Sequence, residues 1–110
     1  MEIVQLETFK KEIMEFPLET REDIFSLLER FLNGERLSPQ EFKTFSIDKN
    51  TRIQEFKVKD VKGNWRAISF ILHHEFLIMV YAFHKKSQKL LDKDKEIIRN
   101  RVKRVRTWRR

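Results

Sequence analysis

The chain has no cysteine, which excludes disulfides, iron–sulfur clusters and thiolate zinc sites and leaves nothing that needs an oxidising compartment. Its longest apolar run, Phe76 to Phe83, has eight residues, whereas a membrane-spanning helix needs roughly 20. With only two glycines, Gly34 and Gly63, the chain has no glycine-rich loop for a nucleotide phosphate. We therefore expect a cytoplasmic protein with no membrane span and no bound cofactor.

The N-terminal segment also lacks the pattern of an export signal, because acids stand where a signal peptide has a basic start followed by an apolar stretch. The 110 residues fall in the usual size range of one domain. Hydrophobic residues make up 40% of the chain and include ten Phe, enough for a core despite a charged fraction of 37%. We expect residues 1–110 to form a single domain.

Charge is distributed unevenly along the chain, whose net charge is +7. Residues 1–35 hold four basic and nine acidic residues, a net −5, whereas residues 84–110 hold twelve basic and three acidic residues, a net +9. A strongly cationic region attracts polyanions, and each phosphate that it neutralises releases counterions. The pattern favours nucleic acid or the ribosome as a partner, with a solubilising surface helix as the alternative interpretation.

The first third of the chain has the patterns of a short strand and two helices. Glu2–Leu6 is partly alternating and β-branched, which predicts an opening strand. Apolar residues then recur at helical spacing over residues 8–16. Thr20 with Asp23 resembles a capping box that opens a second helix, and Asn33-Gly34 ends that helix as a C-terminal cap would. Together the two helices make a hairpin that is acidic outside and apolar inside.

The rest of the chain predicts an antiparallel meander followed by a basic helix. Leu37–Thr51 is irregular and is interpreted as a connection. Three strand-like runs follow, at Ile53–Asp60, Trp65–Leu72 and Phe76–Phe83, and the last two are apolar on both faces, so we expect them at the centre of the sheet. Helical spacing returns over Asp92–Trp108. The predicted order is strand, two helices, three strands and a helix, an α+β fold.

Pairing of the three strands predicts that basic side chains from all of them meet. Alternation puts Lys57 and Lys59, with Glu55 beside them, on one face of their strand. The first turn sets Lys59 roughly opposite Arg66, and the second sets Arg66 roughly opposite Ala82. The basic residues that converge at this edge are Lys57, Lys59, Arg66, His84, Lys85 and Lys86, with Lys89 nearby.

The first turn is centred on Lys62-Gly63 and the second on His74. His73 and His74 then lie about 20 Å from the basic edge, at ~3.3 Å per residue, and are expected to be turn residues only. Lysines on a solvated strand face are ordinary, and they also protect edge strands from pairing with other chains. Arg66 is a stronger indication of a functional site than the lysines, because a guanidinium at the start of an apolar strand suggests phosphate binding or a buried ion pair with Glu55.

Three segments carry a resemblance to a known family. They are Gln54–Lys59, the pair Trp65-Arg66, and Val80–Lys89. With the order of elements, they resemble the HigB-like, phage Gp49-related branch of the RelE/ParE toxins. A typical chain of that branch reads Glu-Leu-Arg, then Tyr-Arg in the next strand, then a hydrophobic strand ending Phe-x-Lys-Lys-x-x-x-Lys before a basic C-terminal helix. The resemblance covers nearly the whole chain.

The resemblance implies a RelE-like fold with a short N-terminal strand, a helical hairpin, an antiparallel meander and a basic C-terminal helix. Members of the family include ribosome-dependent endoribonucleases, which cut messenger RNA in the ribosomal A site, and relatives that poison DNA gyrase. By motif, the residues that handle the scissile phosphate would be Lys57, Lys59, Arg66 and Lys86. Such a toxin pairs with a cognate antitoxin, for which a helix-turn-helix protein is one candidate.

RNA is cut without metal when its 2′-hydroxyl is deprotonated and attacks the adjacent phosphate, and the 5′-oxygen then leaves with a proton. Cations packed together lower one another's pKa, so a lysine among Lys57, Lys59 and Arg66 can act as the base, and Lys59 is the favoured candidate. Arg66 would stabilise the phosphate in its transition state. Either Lys86 or His84 would protonate the leaving oxygen. One carboxylate, Glu55, and no His/Asp/Glu set at ligand spacing argue against a metal site.

Four further residues are assigned to substrate binding: Glu55, Lys85, Lys89 and Trp108. Trp108 would stack on a base or on ribosomal RNA, although a frayed cationic tail formed with Arg109 and Arg110 is the favoured interpretation. Two other functions stay open. A gyrase poison would damage DNA with translation intact, and a non-enzymatic, phage-derived nucleic-acid-binding protein would bind with steep salt dependence and cut nothing. We favour the endoribonuclease because all four residues of the motif are present.

Overall fold

The helices and strands follow in the predicted order, with one strand added. The computed structural model describes residues 1–87 and 89–108. Its elements are β1 Glu2–Gln5, α1 Glu7–Ile13, α2 Leu18–Leu32, β2 Phe42–Asp48, β3 Thr51–Asp60, β4 Gly63–Leu72, β5 Phe76–Lys85 and α3 Asp92–Arg106. The predicted α+β class is therefore confirmed. Within the described ranges, no helix is both long and apolar enough to cross a membrane.

The strands form one mixed sheet in the order β1-β5-β4-β3-β2. β1 runs parallel to β5, and all other neighbours are antiparallel. β4 and β5, which both lie inside the sheet, are the two runs that are apolar on both faces, because each packs against helices on both sides. Their predicted position inside the sheet is confirmed.

Two cores hold the sheet between the helices. The first joins α1 and α2 to one face and includes the fully buried Phe9, Ile24, Leu28, Phe56 and Met79. The second joins α3 to the other face and includes the fully buried Ile53, Ile68, Val80, Ile98 and Val102. Burial of one such large apolar side chain contributes roughly 1.5–3 kcal/mol. The two cores therefore fix the sheet relative to all three helices.

The interpretation of residues 37–51 as an irregular connection is wrong, because β2 lies within it. β2 is an edge strand whose Phe42 packs in the first core and whose Phe45 packs in the second. A register shift against β3, between Ser46 and Asp48, interrupts the alternation that would have identified a strand. The polar residues Lys43, Thr44 and Ser46 of β2 are exposed, which also weakens the apolar pattern of this strand.

The predicted capping box at Thr20 is also wrong. α2 begins at Leu18, with Pro17 in the N-cap position and no side-chain cap. Thr20 is buried inside the first turn, and its hydroxyl donates a hydrogen bond to Asp60 Oδ2 over 2.8 Å. The side chain that resembled a cap instead joins α2 to the end of β3.

Side chains cover the open edge of β5 where β1 ends. The last pairing of β1 is between Gln5 and Met79, so the following part of β5 has no strand on that side. Arg101 of α3 donates to the Val80 carbonyl over 2.9 Å, and the Ala82 amide donates to Glu12 Oε1 over 3.2 Å. Arg101 and Glu12 also form an ion pair with an N–O distance of 2.8 Å. This pair fixes the stretch of β5 that leads into its basic end.

Candidate active site

Strand pairing brings basic side chains from three strands to the face of the sheet that α3 covers. In one row, Lys57 of β3 pairs with Arg66 of β4, which pairs with Phe83 of β5. In the next row, Lys59 pairs with Asn64, which pairs with Lys85. Paired residues in antiparallel strands direct their side chains to the same face. The predicted convergence of the three strands is therefore present.

The register within this convergence differs from the prediction at the first turn. The β3–β4 turn is centred on Val61-Lys62 rather than on Lys62-Gly63, because Asp60 pairs with Gly63. Arg66 is consequently opposite Lys57 and not opposite Lys59. Because this shift spans two residues, the same face of β3 still carries both lysines.

A β-bulge changes the second pairing and decides which basic residue of β5 reaches the site. Ile68 pairs with Tyr81 but Ser69 pairs with Met79, so Val80 is an extra residue in β5. Arg66 is therefore opposite Phe83 instead of Ala82. A shift of one residue exchanges the two faces for every later side chain of the strand. Lys85, and not His84, shares the face of Arg66.

The basic residues surround an open cavity of about 470 Å³. We name it the cationic groove, and its lining residues are Lys59, Asn64, Arg66, Lys85, Lys86 and Ser87. Four of these six residues are predicted site residues. Asn64 and Ser87 were missed. Asn64 falls between the predicted strands Ile53–Asp60 and Trp65–Leu72, whereas alternation from Arg66 assigns it to the same face as Arg66.

A buried carboxylate lies next to the groove cations. Glu55 is 1% exposed, and its Oε2 is 3.5 Å from Arg66 Nε and 3.9 Å from Lys85 Nζ. The Arg66 side chain is 11% exposed, and one of its terminal nitrogens donates to the Trp65 carbonyl over 3.2 Å. Burial lowers the pKa of Arg66, and the charge of Glu55 opposes that shift. The predicted ion pair between Arg66 and Glu55 is present.

Lys57 lies beside the groove rather than in its lining. Its ammonium donates to the Pro39 carbonyl over 2.7 Å, in the loop before β2. Burial lowers the pKa of Lys57, Glu55 opposes the shift, and the positive charge of Arg66 adds to it.

His84 lies on the opposite face of the sheet from Arg66. It pairs with Trp65 and stacks on the indole, with ring centroids 4.2 Å apart and an interplanar angle of 15°. Gly63 lies against the imidazole, and a Cβ at Gly63 would be 2.3 Å from His84 Nε2. The structure therefore does not bring the predicted proton donor His84 into the groove, whereas the alternative donor Lys86 does line it.

The turn that opens β4 is organised by Asp60. Its carboxylate accepts hydrogen bonds from Trp65 Nε1 at 2.9 Å and from Thr20 Oγ1 at 2.8 Å. It also accepts from the backbone amides of Lys62 and Gly63 at 2.8 and 3.1 Å. These bonds, chiefly the one from Trp65, lower the pKa of Asp60. An ionised Asp60 thus fixes the start of the strand that carries Arg66.

Lys89 follows the end of β5 and lines a second cavity of about 320 Å³, which Lys85 and Lys86 also line. The lining also includes Tyr81 and Asp94, which the sequence does not predict as site residues. The Tyr81 hydroxyl donates to Asp94 Oδ1 over 2.7 Å, and both residues are buried. Burial, with Asp94 beside it, raises the pKa of Tyr81. This bond anchors the first turn of α3 next to the groove.

Three predicted residues lie away from the groove. His73 and His74 form the β4–β5 turn with φ of 53° and 59°, and the prediction that they are turn residues is confirmed. Trp108 is 44% exposed after the last turn of α3, where it lines a cavity together with Leu6, and it is not at the end of α3 near the groove. The predicted tail residues Arg109 and Arg110, and Gln88 of the lysine motif, lie outside the described residues.

Comparison with known proteins identifies the family. The model of the family described as "Phage derived protein Gp49-like (DUF891)" matches residues 11–103. The chain belongs to the Gp49-like family. This family is a branch of the RelE superfamily, so the resemblance found in the sequence is confirmed.

A solved structure has the same fold. The Gp49-like chain superposes on a doubly substituted form of the E. coli toxin RelE in its free state with a TM-score of 0.57. The two are 14% identical, and the match covers 94% of this chain and 95% of that chain. The RelE-like fold is therefore confirmed. No curated protein matches the chain by sequence.

Proposed function

We propose that this Gp49-like protein is the toxin of a toxin–antitoxin system and that it inhibits translation by cutting messenger RNA on the ribosome. The observation that carries the proposal is the cationic groove, in which Lys59, Arg66, Lys85 and Lys86 from three segments surround one cavity. A phosphodiester is the anion that such a site fits, because its charge spreads over non-bridging oxygens that several donors contact at once. Family membership and the RelE-like fold support the choice of RNA.

Arg66 is the residue proposed to hold the scissile phosphate. Its guanidinium is mostly buried and always charged, and it borders the groove together with Lys85. Negative charge on the phosphate increases as the 2′-hydroxyl attacks, and fixed donors in a partly buried site stabilise that charge strongly. Asn64 and Ser87 add neutral hydrogen-bonding groups to the same lining.

Proton transfer is assigned to lysines. Lys59 lines the groove and is the proposed base, and Lys57 is the competing candidate because burial lowers its pKa. For Lys57 to act, its ammonium would have to leave the Pro39 carbonyl. Lys86 is the proposed acid, because His84 would have to leave its stack on Trp65 and cross the sheet. No metal or cofactor enters this scheme.

The proposed partners follow from the same charge distribution. Messenger RNA on the ribosome occupies the groove during cleavage, with Lys89 at its margin. An antitoxin would restrain the protein, and an acidic segment in it would be attracted to the cationic groove. A protein that acts on ribosomes would work in the cytoplasm.

Induced expression in cells, with primer extension on abundant messages, tests the proposal. The wild type should arrest growth and leave cleaved transcripts, and Arg66→Ala should lower cleavage by roughly 10²–10³-fold. Arg36→Ala is the matched control, because Arg36 is an exposed arginine in the loop that follows α2. Intact transcripts with inhibited supercoiling would favour a gyrase poison. Full cleavage by a folded Arg66→Ala variant would contradict the proposed role of Arg66.

A further inference from the structure

Glu55 is the one acid among the cations of the site, and its position is unusual. The carboxylate is 1% exposed, whereas acids are almost never fully buried unless they are paired. Within the described residues, its Oε2 accepts no hydrogen bond, and neither does Arg66 Nε donate one. The two atoms are 3.5 Å apart, which is longer than the roughly 2.7–2.9 Å of a strong charge-assisted hydrogen bond.

The Glu55 carboxylate is shared among several cations at long distances. It is not used up by one close partner, since Lys85 Nζ also lies within 3.9 Å of the same oxygen and Lys57 is influenced by its charge. Three cations packed in a partly buried site repel one another. A single shared anion holds them together, and Arg66 and Lys85 still line the groove that would receive another acceptor.

Direct contact with a phosphodiester does not fit Glu55. A carboxylate repels a phosphate, and this one lies below the surface while Arg66 and Lys85 line the groove. Its influence must therefore pass through the cations that it contacts.

We propose that Glu55 is a positioning residue, which fixes the Arg66 guanidinium and the Lys85 ammonium in the arrangement that receives a phosphodiester. The inference rests on the proposed function and deepens it. Glu55 is needed for the geometry of the cleavage step rather than for affinity. Its negative charge offsets one positive charge of the groove, and its contacts fix the positions of the Arg66 and Lys85 side chains.

The substitution Glu55→Gln separates these two effects, because glutamine keeps the size of the side chain and removes its charge. Binding of an oligonucleotide with a 2′-deoxy sugar at the scissile position should stay as tight as in the wild type or become tighter. Single-turnover cleavage of the matching RNA on ribosomes should fall by about 10²-fold, the effect of misplacing a catalytic group by about 1 Å. A merely structural role would weaken binding and cleavage together.

A conservative variant sharpens the test. Glu55→Asp restores the charge on a shorter side chain and should cleave faster than Glu55→Gln.

The double variant Glu55→Gln/Lys85→Gln guards against unfolding, because it removes one charge of each sign. It should cleave more slowly than Lys85→Gln alone. Equal rates in those two variants, or full cleavage by a folded Glu55→Gln protein, would overturn the positioning role and leave the proposed function standing. A wild type that binds the oligonucleotide and cleaves no RNA would overturn both.

Discussion

Replacement of Tyr81 with Phe removes one hydroxyl from the interior and leaves a buried carboxylate without its donor. Tyr81 and Asp94 are 8% and 5% exposed, and their hydrogen bond is 2.7 Å long. A hydrogen bond to a charged group contributes roughly 1.5–3 kcal/mol, and an orphaned buried acceptor costs a similar amount. We expect the free energy of unfolding to fall by about 2 kcal/mol. The Tm should fall by roughly 10 °C in a chain of this size.

Urea denaturation followed by circular dichroism measures this loss. Asp94→Ala and the double variant complete a cycle, and the double variant should lose less than the sum of the two single variants, with a coupling of roughly 1–2 kcal/mol. The cycle is needed because each single variant also changes packing and solvation, and only the coupling isolates the energy of the hydrogen bond. A Tyr81→Phe protein within about 0.5 kcal/mol of the wild type, or strictly additive losses, would show that the bond does not anchor α3.

Two other stability predictions follow from local geometry. Gly63→Ala should cost about 2 kcal/mol in urea denaturation, because Gly63 has a φ of 139° and a Cβ there would meet the His84 ring. Asp48 is paired with Arg99, chiefly through a hydrogen bond that helps to lower its pKa from 3.8 to about 2. A carboxyl whose pKa is lowered by folding stabilises the folded protein at pH values above its pKa in the unfolded chain. This contribution should therefore be lost as the pH falls from about 4 to about 2. Asp48→Asn should flatten that part of the curve of stability against pH.

The sequence predicts most of the fold because apolar periodicity marks elements that are buried on a defined face. The strands β3, β4 and β5 and the helix α3 are identified in this way. β2 is not, because it is a half-exposed edge strand with a register shift, so its apolar residues contact both cores without regular alternation. β2 is a strand because its backbone pairs with β3, and this pairing is not visible in the sequence of β2 itself.

The candidate site is predicted in its outline and not in its detail. Alternation within β3 and the proximity of the strand ends suffice to bring Lys59, Arg66 and Lys86 to one cavity. The choice between Lys85 and His84 depends on one extra residue in β5, the bulge at Val80. Composition and alternation give no sign of this bulge, and it exchanges the two faces of the strand beyond it.

Single-turnover cleavage of a defined message by the purified protein on programmed ribosomes measures directly whether the cationic groove cuts RNA. Wild type and Arg36→Ala should cleave at equal rates without added metal, and Arg66→Ala should be slower by roughly 10²–10³-fold. Equal rates in Arg66→Ala and wild type, or an intact message in all three, would contradict the account.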